Sequence, residues 1–355
     1  MKKINKSLRH VLGLSVLVSM SATSFAEIIM NSGTTEGGSS ISWSSEEVNQ
    51  LMSDDFRVAA DEPSPPGSAT VTTTLRQSVP STQQSVSVQQ PAKTTQIFDT
   101  NSYSNQPSVN ARAALVMDAQ TGEVLFSKNT NTALPIASIT KLMTAVVISD
   151  ARLNMSEKIT LQQADFSCAG CKSSSSTLRA GDSMNRAEAL LFALMKSENP
   201  AAAALARTYP GGRSAFIAAM NSKAKALGMN SSRFMESTGL HPGNVASARD
   251  LGILVNTASQ YGLIRQFSTT PSYDFNLGYR VLKSNNTNAL VRNGGWNINI
   301  SKTGFINEAG RCVVMHTTLN NRPVAVVLLG ANSSQARTND ATRLMSWVSQ
   351  QPKRI

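Results

Sequence analysis

Residues 135–143 read Pro-Ile-Ala-Ser-Ile-Thr-Lys-Leu-Met, and this stretch opens a run that predicts a helix over residues 138–150. Ser138 falls in the first turn, where backbone N–H groups have no partner within the helix. A serine at that point can attack a carbonyl group while nearby amides stabilise the oxyanion. Lys141 follows three residues later and returns to the same face of the helix. The stretch therefore predicts a nucleophile, Ser138, with Lys141 as its base.

The spacing Ser-x-x-Lys is a weak signal on its own, because both residues are common. A second pair with this spacing, Ser222 and Lys225, lies in an amphipathic segment, and we assign it no role. Two further motifs strengthen the first. Residues 197–199, Ser-Glu-Asn, lie between two predicted helices, and residues 302–304, Lys-Thr-Gly, end a predicted strand. The prediction therefore rests on the order of the three motifs rather than on any one of them.

Histidine chemistry is nearly excluded by composition. The chain holds three histidines, of which only His241 and His316 lie beyond the first 26 residues. His316 falls in a predicted strand and His241 in a loop, so both are predicted to be structural. Few histidines are therefore available for a Ser-His-Asp triad. A lysine can replace histidine as the base only if burial or a nearby cation lowers its pKa.

The chain has three cysteines. Cys168 and Cys171 form a Cys-x-x-Cys motif, which can be a redox site, half of a zinc site or a local disulfide. No thioredoxin-like strand-to-helix pattern surrounds the motif, and a zinc site needs two further ligands. In an oxidising compartment, a disulfide within the loop is the favoured interpretation. Cys312 lies in an apolar run and is predicted to be a buried thiol.

Strand patterns lie at both ends of the region after residue 109, and helical patterns lie between them. The strands are predicted at 113–119, 123–127, 296–301, 311–319 and 324–329, and the helices at 138–150, 186–196, 200–207, 214–227, 247–258 and 340–350. The predicted fold class is α/β, in its α+β form. Strands from both termini predict a mainly antiparallel sheet flanked by helices, with a helical lobe.

The first 26 residues have the layout of a secretory signal peptide, with a basic start, a short apolar run and a small-residue cleavage site that ends at Ala26. The apolar run has about ten residues, whereas a membrane span needs about 20. We therefore predict cleavage after Ala26, a periplasmic protein and no stable membrane span. Residues 27–108 are rich in Ser, Thr, Gln and Pro and are predicted to be a disordered tail. Residues 109–355 are then the catalytic domain.

Charge is distributed unevenly along the chain. The whole chain has a formal net charge of +11, and its first 26 residues contribute four cations. Residues 27–108 contain nine acidic and three basic side chains, which leaves residues 109–355 near +13. A basic domain suits an anionic polymer or surface. Because export makes nucleic acid a poor partner, a cell-wall polymer or the membrane face is the predicted partner.

The three motifs in this order resemble those of penicillin-binding proteins and serine β-lactamases, with Glu198 where the usual pattern has Asp. Over residues 109–350 the chain is similar to low-molecular-weight penicillin-binding proteins of the D-alanyl-D-alanine endopeptidase type. The matching stretches are Pro135–Ser138, Leu194–Asn199, Ala219–Met229, Thr238–Leu240, Ala248–Leu251, Ser268–Thr270 and Trp296–Phe305. The tail and the insert with the Cys-x-x-Cys motif depart from the family pattern.

This resemblance implies a mechanism. Ser138 attacks the carbonyl group of the penultimate D-alanine in a peptidoglycan stem peptide and forms an acyl-enzyme. Lys141 takes the proton of Ser138, Ser197 helps to pass it to the leaving amine, and water then releases the acyl group. Penicillins imitate the substrate and leave Ser138 blocked. The resemblance implies no metal and no cofactor.

The resemblance also implies a set of substrate-binding residues, which are Asn199, Lys302, Thr303, Gly304, Phe305 and Arg337. Asn199 is expected to bond the substrate amide, and Lys302 and Thr303 to hold the charged or polar end of the substrate. Lys302 is also expected to lower the pKa of Lys141. The oxyanion hole is expected to use the backbone N–H groups of Ser138 and Phe305.

Several alternatives to an endopeptidase share this site. Arg337 lies where related carboxypeptidases place a carboxylate-binding arginine, so an inward side chain favours some carboxypeptidase activity, and a surface side chain does not. A β-lactamase is disfavoured because no Glu-x-x-Leu-Asn loop lies between Lys141 and Lys302. A transpeptidase would normally keep a membrane anchor and a second large domain. A non-catalytic wall-binding module would not need the complete set of polar residues.

Overall fold

The computed structural model describes residues 105–352. The predicted signal peptide lies outside this range, as does nearly all of the predicted tail at 27–108. The domain boundaries at residues 26 and 108 therefore stay predictions. No helix within residues 105–352 is long and apolar enough to cross a membrane.

Within this range the chain forms eleven strands and eight α-helices. The strands are β1 (Ala113–Asp118), β2 (Val124–Lys128), β3 (Leu134–Pro135), β4 (Lys158–Thr160), β5 (Ser183–Asn185), β6 (Val245–Ala246), β7 (Ser272–Asn276), β8 (Val281–Asn285), β9 (Asn297–Ile306), β10 (Gly310–Leu319) and β11 (Arg322–Ala331). The helices are α1 (Thr140–Asp150), α2 (Arg186–Leu191), α3 (Asn199–Arg207), α4 (Gly212–Ala226), α5 (Ala248–Ala258), α6 (Gly262–Thr269), α7 (Ala289–Asn293) and α8 (Ser334–Ser349).

Five strands form the main sheet in the order β2-β1-β11-β10-β9, and every neighbouring pair is antiparallel. β1 and β2 come from the start of the described range, whereas β9, β10 and β11 come from its end. The predicted antiparallel sheet, assembled from both termini, is therefore confirmed. Because β9 is the edge strand of the sheet, one of its sides is free of strand pairing and can line a site.

Apolar side chains cover both faces of this sheet. On one face, α8 packs through Leu344, Met345 and Val348. On the other face lies a larger cluster that includes most of α1 and α5. Residues 140–149 of α1 are buried on every side of the helix, as expected for a helix without a single apolar face. This burial includes Lys141, so the core helix carries a titratable group into the interior.

Three predicted elements have different limits in the structure. β9 continues to Ile306, so Lys-Thr-Gly at 302–304 lies inside the strand instead of ending it. The helix predicted over 186–196 is α-helical only to Leu191 and continues as a π-helical turn, Phe192–Lys196. The last helix begins at Ser334, because Ser333 caps it by accepting a hydrogen bond from the N–H of Ala336. The short helices α6 and α7 and the hairpin β7–β8 were not predicted.

Candidate active site

Ser138 lies in a 3₁₀ turn, Ala137–Ile139, immediately before α1. The prediction placed it in the first turn of the helix, so the difference is one of local geometry. Gly304 of β9 approaches this turn closely, since a Cβ atom at this position would lie 3.0 Å from the backbone N of Ser138 and 3.0 Å from the carbonyl O of Ile136. A side chain at this position would therefore press on the nucleophile turn, which would have to shift by a few tenths of an ångström to accommodate it.

Lys141 contacts three groups from three parts of the chain. Its Nζ lies 3.0 Å from the Oγ of Ser138, 2.6 Å from the Oδ1 of Asn199 and 2.6 Å from the carbonyl O of Thr238. The side chain is fully buried. Since a lysine amine has three directions for hydrogen bonding, these contacts fix its position beside the serine. The structure thus brings together the first motif, the second motif and the loop of Thr238, to which the sequence analysis gave no role at Lys141.

Burial lowers the pKa of Lys141 from 10.5 to about 7, and the charges of Glu236 and Glu198 oppose part of this effect. The cause is desolvation, because a charged ammonium group is disfavoured away from water. Burial is the principal cause, and the expected contribution of Lys302 to this shift stays a prediction. Near neutral pH a large share of Lys141 is then uncharged and able to accept a proton.

Ser197 and Lys302 form another hydrogen-bonded serine–lysine pair, distinct from the Ser-x-x-Lys pair at 222–225, and Lys302 lies close enough to Lys141 for their charges to interact. The Nζ of Lys302 lies 2.8 Å from the Oγ of Ser197 and 3.0 Å from the carbonyl O of Thr303. Ser197 follows the π-helical turn with φ = 67°, a backbone conformation that a non-glycine residue rarely adopts. Such conformations are retained where the surrounding structure requires them, often at functional sites. Here the conformation turns the chain between the π-helical turn and α3.

Lys302 and Arg337 are two buried cations that lie close enough to interact electrostatically. Burial lowers the pKa of Lys302 well below its ordinary value, and the nearby charges of Lys141 and Arg337 lower it further. Arg337 is only 8% exposed, so its side chain is buried rather than on the surface. Its Nη1 lies 3.5 Å from the carbonyl O of Cys312, and no carboxylate of the described residues lies within 4.0 Å of it.

The remaining predicted residues of the third motif line the outer part of β9. The hydroxyl of Thr303 donates to the hydroxyl of Thr287 at 2.7 Å. Phe305 is 44% exposed, which is unusual for a large apolar side chain. Arg311 lies opposite Phe305 on the neighbouring strand β10, and its guanidinium carbon is 3.6 Å from the centre of the Phe305 ring. Arg311 had no signal in the sequence beyond its charge.

Asn199 is held from both ends of its amide. Its Oδ1 accepts from Lys141, and its Nδ2 donates to the Oγ of Ser174 at 2.8 Å. The preceding residue, Glu198, is buried, and its carboxylate accepts from the hydroxyls of Ser176 at 2.6 Å and Thr177 at 2.5 Å. Glu198 is thus a buried anchor for the second motif.

The histidines and the second Ser-x-x-Lys pair lie apart from this chemistry. His241 accepts from the N–H of Gly243 at 2.9 Å within its own loop. Burial lowers the pKa of His316 to about 4, so it is neutral at physiological pH. Neither ring is hydrogen-bonded to Ser138 or Lys141 within residues 105–352. Ser222 and Lys225 are exposed on α4.

The cysteines follow the favoured interpretation. Cys168 and Cys171 are joined in a disulfide, as the favoured interpretation predicted. Cys312 is a buried free thiol, as predicted. Burial raises its pKa to about 11, so it is unreactive at neutral pH.

Gly239 belongs to the loop that supplies the carbonyl of Thr238, and it carries a testable requirement. Its φ is +89°, and a Cβ atom there would lie 1.9 Å from the carbonyl O of Ala137. We expect Gly239→Ala to destabilise the protein by at least about 3 kcal/mol, since backbone strain and a backbone clash add. Urea unfolding followed by circular dichroism measures this cost.

Gly122→Ala is the matched control for this prediction. Gly122 also has a positive φ, +75°, but no atom lies within 4 Å of the added Cβ. Only the backbone strain remains there, so we expect a cost of about 1–2 kcal/mol. Equal costs for the two variants would show that the close approach of the loop to the nucleophile turn is not a constraint.

An edge strand and two facing serine–lysine pairs define a serine acyl-transfer enzyme of the penicillin-binding type. A family model described as D-alanyl-D-alanine carboxypeptidase, Peptidase_S11, matches residues 100–333. The chain therefore belongs to the D-alanyl-D-alanine carboxypeptidase family of serine peptidases, which confirms the resemblance seen in the sequence and the expectation of a serine hydrolase.

Individual relatives agree with this assignment. The D-alanyl-D-alanine endopeptidase of Pseudomonas aeruginosa is 46% identical over 250 residues, which are 68% of this chain and 78% of the relative. The D-alanyl-D-alanine endopeptidase of Escherichia coli K12 is 46% identical over 247 residues, which are 69% of this chain and 79% of the relative. The crystal structure of the Streptomyces K15 DD-transpeptidase matches with a TM-score of 0.62 and 29% identity, over 68% of this chain and 98% of that one.

Proposed function

We propose that this protein is a periplasmic DD-endopeptidase that hydrolyses D-alanyl cross-links in peptidoglycan through an acyl-enzyme on Ser138. The observation that supports the reaction most strongly is the buried amine of Lys141, 3.0 Å from the Oγ of Ser138. Two relatives named D-alanyl-D-alanine endopeptidase, each 46% identical, support the choice of substrate. The net positive charge of the catalytic domain suits an anionic polymer.

Acylation begins with proton transfer from Ser138 to Lys141. The neutral amine accepts the proton while the serine oxygen attacks the carbonyl carbon of the penultimate D-alanine. The backbone N–H groups of Ser138 and Phe305 are proposed to stabilise the oxyanion, at the point where Gly304 lets β9 approach the nucleophile turn. No metal or cofactor takes part in this scheme.

The second serine–lysine pair is proposed to serve the leaving group. The hydroxyl of Ser197, which Lys302 holds at 2.8 Å, is proposed to relay the proton that Lys141 took from Ser138 to the departing amine: it gives its own proton to the amine and receives the proton of Lys141. Asn199 and Thr303 are proposed to bind the substrate amide and its polar end. Water then attacks the acyl-enzyme and releases the shortened peptide. β-Lactams enter the same first step and leave Ser138 acylated.

A second candidate is a D-alanyl-D-alanine carboxypeptidase that removes terminal D-alanine. The buried side chain of Arg337 favours it, because a buried cation without a carboxylate partner is costly unless a ligand pairs with it. The terminal carboxylate of an uncross-linked stem peptide would be such a ligand. Relatives named carboxypeptidase include one from Bacillus subtilis that is 30% identical over 246 residues.

Digestion of purified cross-linked muropeptides decides between the candidates. An endopeptidase converts dimers to monomers, whereas a carboxypeptidase shortens monomers by one D-alanine and leaves dimers intact. Chromatography with mass spectrometry separates these products. Dimers formed from added monomers would instead indicate a transpeptidase. No change in any pool, with protein that a fluorescent penicillin still labels, would overturn the endopeptidase proposal.

The pH dependence of acylation follows from Lys141. Its pKa is about 7, and only the neutral amine accepts a proton. We expect the rate constant of acylation by a penicillin to rise about tenfold per pH unit below this value and to level off above it. Stopped-flow fluorescence with a labelled penicillin measures the profile between pH 5 and pH 9 or so.

Glu198→Gln tests the assignment of this profile to Lys141. The charge of Glu198 stabilises the protonated form of Lys141 and so raises its pKa. Removal of that charge lowers the pKa, so the rise in acylation should move to lower pH. Asp274→Asn, on the exposed part of β7, is the matched control and should leave the profile in place. A shift to higher pH in Glu198→Gln would rule out Lys141 as the base.

A further inference from the structure

The disulfide lies in a segment that we call the strap, residues 166–178. The strap contains no helix or strand, and its middle part is exposed. Its sequence after Phe166 is rich in serine, and Leu178 is its one buried apolar side chain. A segment with so few apolar contacts gains little from packing, so its position depends on hydrogen bonds and covalent links.

The first half of the strap contacts the loop of residues 236–241. The N–H of Lys172 donates to the carbonyl O of Leu240 at 3.0 Å. Gly170 packs against the ring of His241, since a Cβ atom there would lie 2.8 Å from its Nε2. The two sulfur atoms of the disulfide and a carboxylate oxygen of Glu236 lie within 4.8 Å of one another.

Glu236 connects these contacts to the catalytic lysine. Its carboxylate accepts from the backbone N–H groups of Thr238 and Gly239, the latter at 2.6 Å. It therefore shapes the turn whose carbonyl, that of Thr238, lies 2.6 Å from the Nζ of Lys141. The disulfide therefore lies within 4.8 Å of the residue that organises this turn.

The second half of the strap contacts the second motif. Ser174 accepts from the amide of Asn199 at 2.8 Å, and Ser176 and Thr177 donate to the carboxylate of Glu198. Asn199 is the other fixed partner of Lys141, at 2.6 Å. The strap thus contacts Asn199 directly and the loop of Thr238 through Leu240 and His241, and these are the two groups that hold the amine of Lys141 besides Ser138.

Packing beneath the first residues of the strap is incomplete. A cavity of about 50 Å³ lies between it and α3, lined by Cys168, Asn199, Ala203, Glu236 and Leu240 among others. Because this space adjoins the strap, Cys168 has room to shift if the disulfide is cut. The Cys168–Cys171 bond is the only covalent cross-link within residues 105–352.

We propose that the Cys168–Cys171 disulfide is a positioning element of the active site, which holds the strap so that Thr238 and Asn199 keep Lys141 beside Ser138. The proposal rests on the function proposed above and adds a redox-sensitive part to it. A dithiol reductant would open the bond by transferring two electrons, which leaves two thiols on the protein and a cyclic disulfide on the reductant. The strap then loses its fixed turn, and acylation slows.

Acylation by a fluorescent penicillin tests this proposal on the purified protein, with and without dithiothreitol and with a chelator present throughout. The chelator prevents free thiols of Cys168 and Cys171 from binding metal beside Glu236. We expect the rate constant of acylation at saturating penicillin to fall about 10- to 100-fold on reduction, because small misplacements of reacting groups have effects of this size. The variant Cys168→Ser/Cys171→Ser should be equally slow and insensitive to dithiothreitol.

Two further readouts separate positioning from loss of folded protein. Partial unfolding would lower the fraction of protein that becomes labelled but not the rate constant of the rest, whereas misplacement of Lys141 lowers the rate constant at full labelling. Ser174→Ala should slow the oxidised protein and add little to the double serine variant, since both act through the strap. Cys312→Ala is the matched cysteine control and should react at the normal rate.

Equal rate constants for oxidised, reduced and double serine proteins would overturn this proposal. Additive effects of Ser174→Ala and the double serine variant would also overturn it, because the two changes would then act independently. If the oxidised protein itself were not labelled by penicillin, the failure would lie in the proposed acyl-enzyme function instead.

Discussion

Ser138→Ala is expected to abolish covalent labelling by a fluorescent penicillin and to reduce cleavage of cross-linked muropeptides by about 10⁴- to 10⁶-fold. The Oγ of Ser138 is the oxygen that lies 3.0 Å from the amine of Lys141, and alanine removes the only atom able to form the ester. The fold should be unaffected, because the side chain is small and only partly buried. Labelling is read on a denaturing gel, which reports only a covalent adduct.

Ser222→Ala provides the matched control for this change. Ser222 has the same Ser-x-x-Lys spacing, but it is exposed on α4. Full labelling of Ser222→Ala together with none of Ser138→Ala would assign the acylated residue. Persistent labelling of Ser138→Ala at the normal rate would remove Ser138 from the mechanism and require a different nucleophile.

The sequence was sufficient for the polar residues of the site but not for their supports. Ser138, Lys141 and Lys302 were predicted because the motifs recur at recognisable spacings and in a fixed order. The carbonyl of Thr238 could not be predicted, since any residue presents a carbonyl group and only the folded chain places it 2.6 Å from Lys141. The requirement at Gly239 is equally hidden, because it arises from contact with a distant turn.

The fold shows the same division. The strands at both ends were predicted from short apolar runs and, at 296–301, from alternation, and the sheet β2-β1-β11-β10-β9 confirms the assembly from both termini. The π-helical turn before Ser197 was missed, because one extra residue in a turn barely changes the apolar pattern. The burial of Arg337 was left open in the sequence, since burial of a charged residue depends on neighbours that are remote in the chain.

Lys141→Met is the second change with a large expected effect. Methionine has a similar length and suits a buried position, but it accepts no proton. We expect the rate constant of acylation by penicillin to fall about 10²- to 10⁴-fold, the usual contribution of a general base. The same stopped-flow experiment as for the pH profile measures it, and the remaining slow reaction should no longer rise through pH 7 or so. Loss of the pH dependence is the more specific result, because a merely distorted site would keep it.

Stability must be measured beside the rate, because Lys141 also has a structural role. Its removal leaves the Oδ1 of Asn199 and the carbonyl of Thr238 without their donor, at a cost of about 1–3 kcal/mol each. Urea unfolding shows how much of the protein remains folded during the assay. Lys225→Met, in the second Ser-x-x-Lys pair, should change neither quantity since its side chain is exposed. Normal acylation by a folded Lys141→Met protein would mean that another group activates Ser138, and Lys302, bonded to Ser197, would then be the group to test.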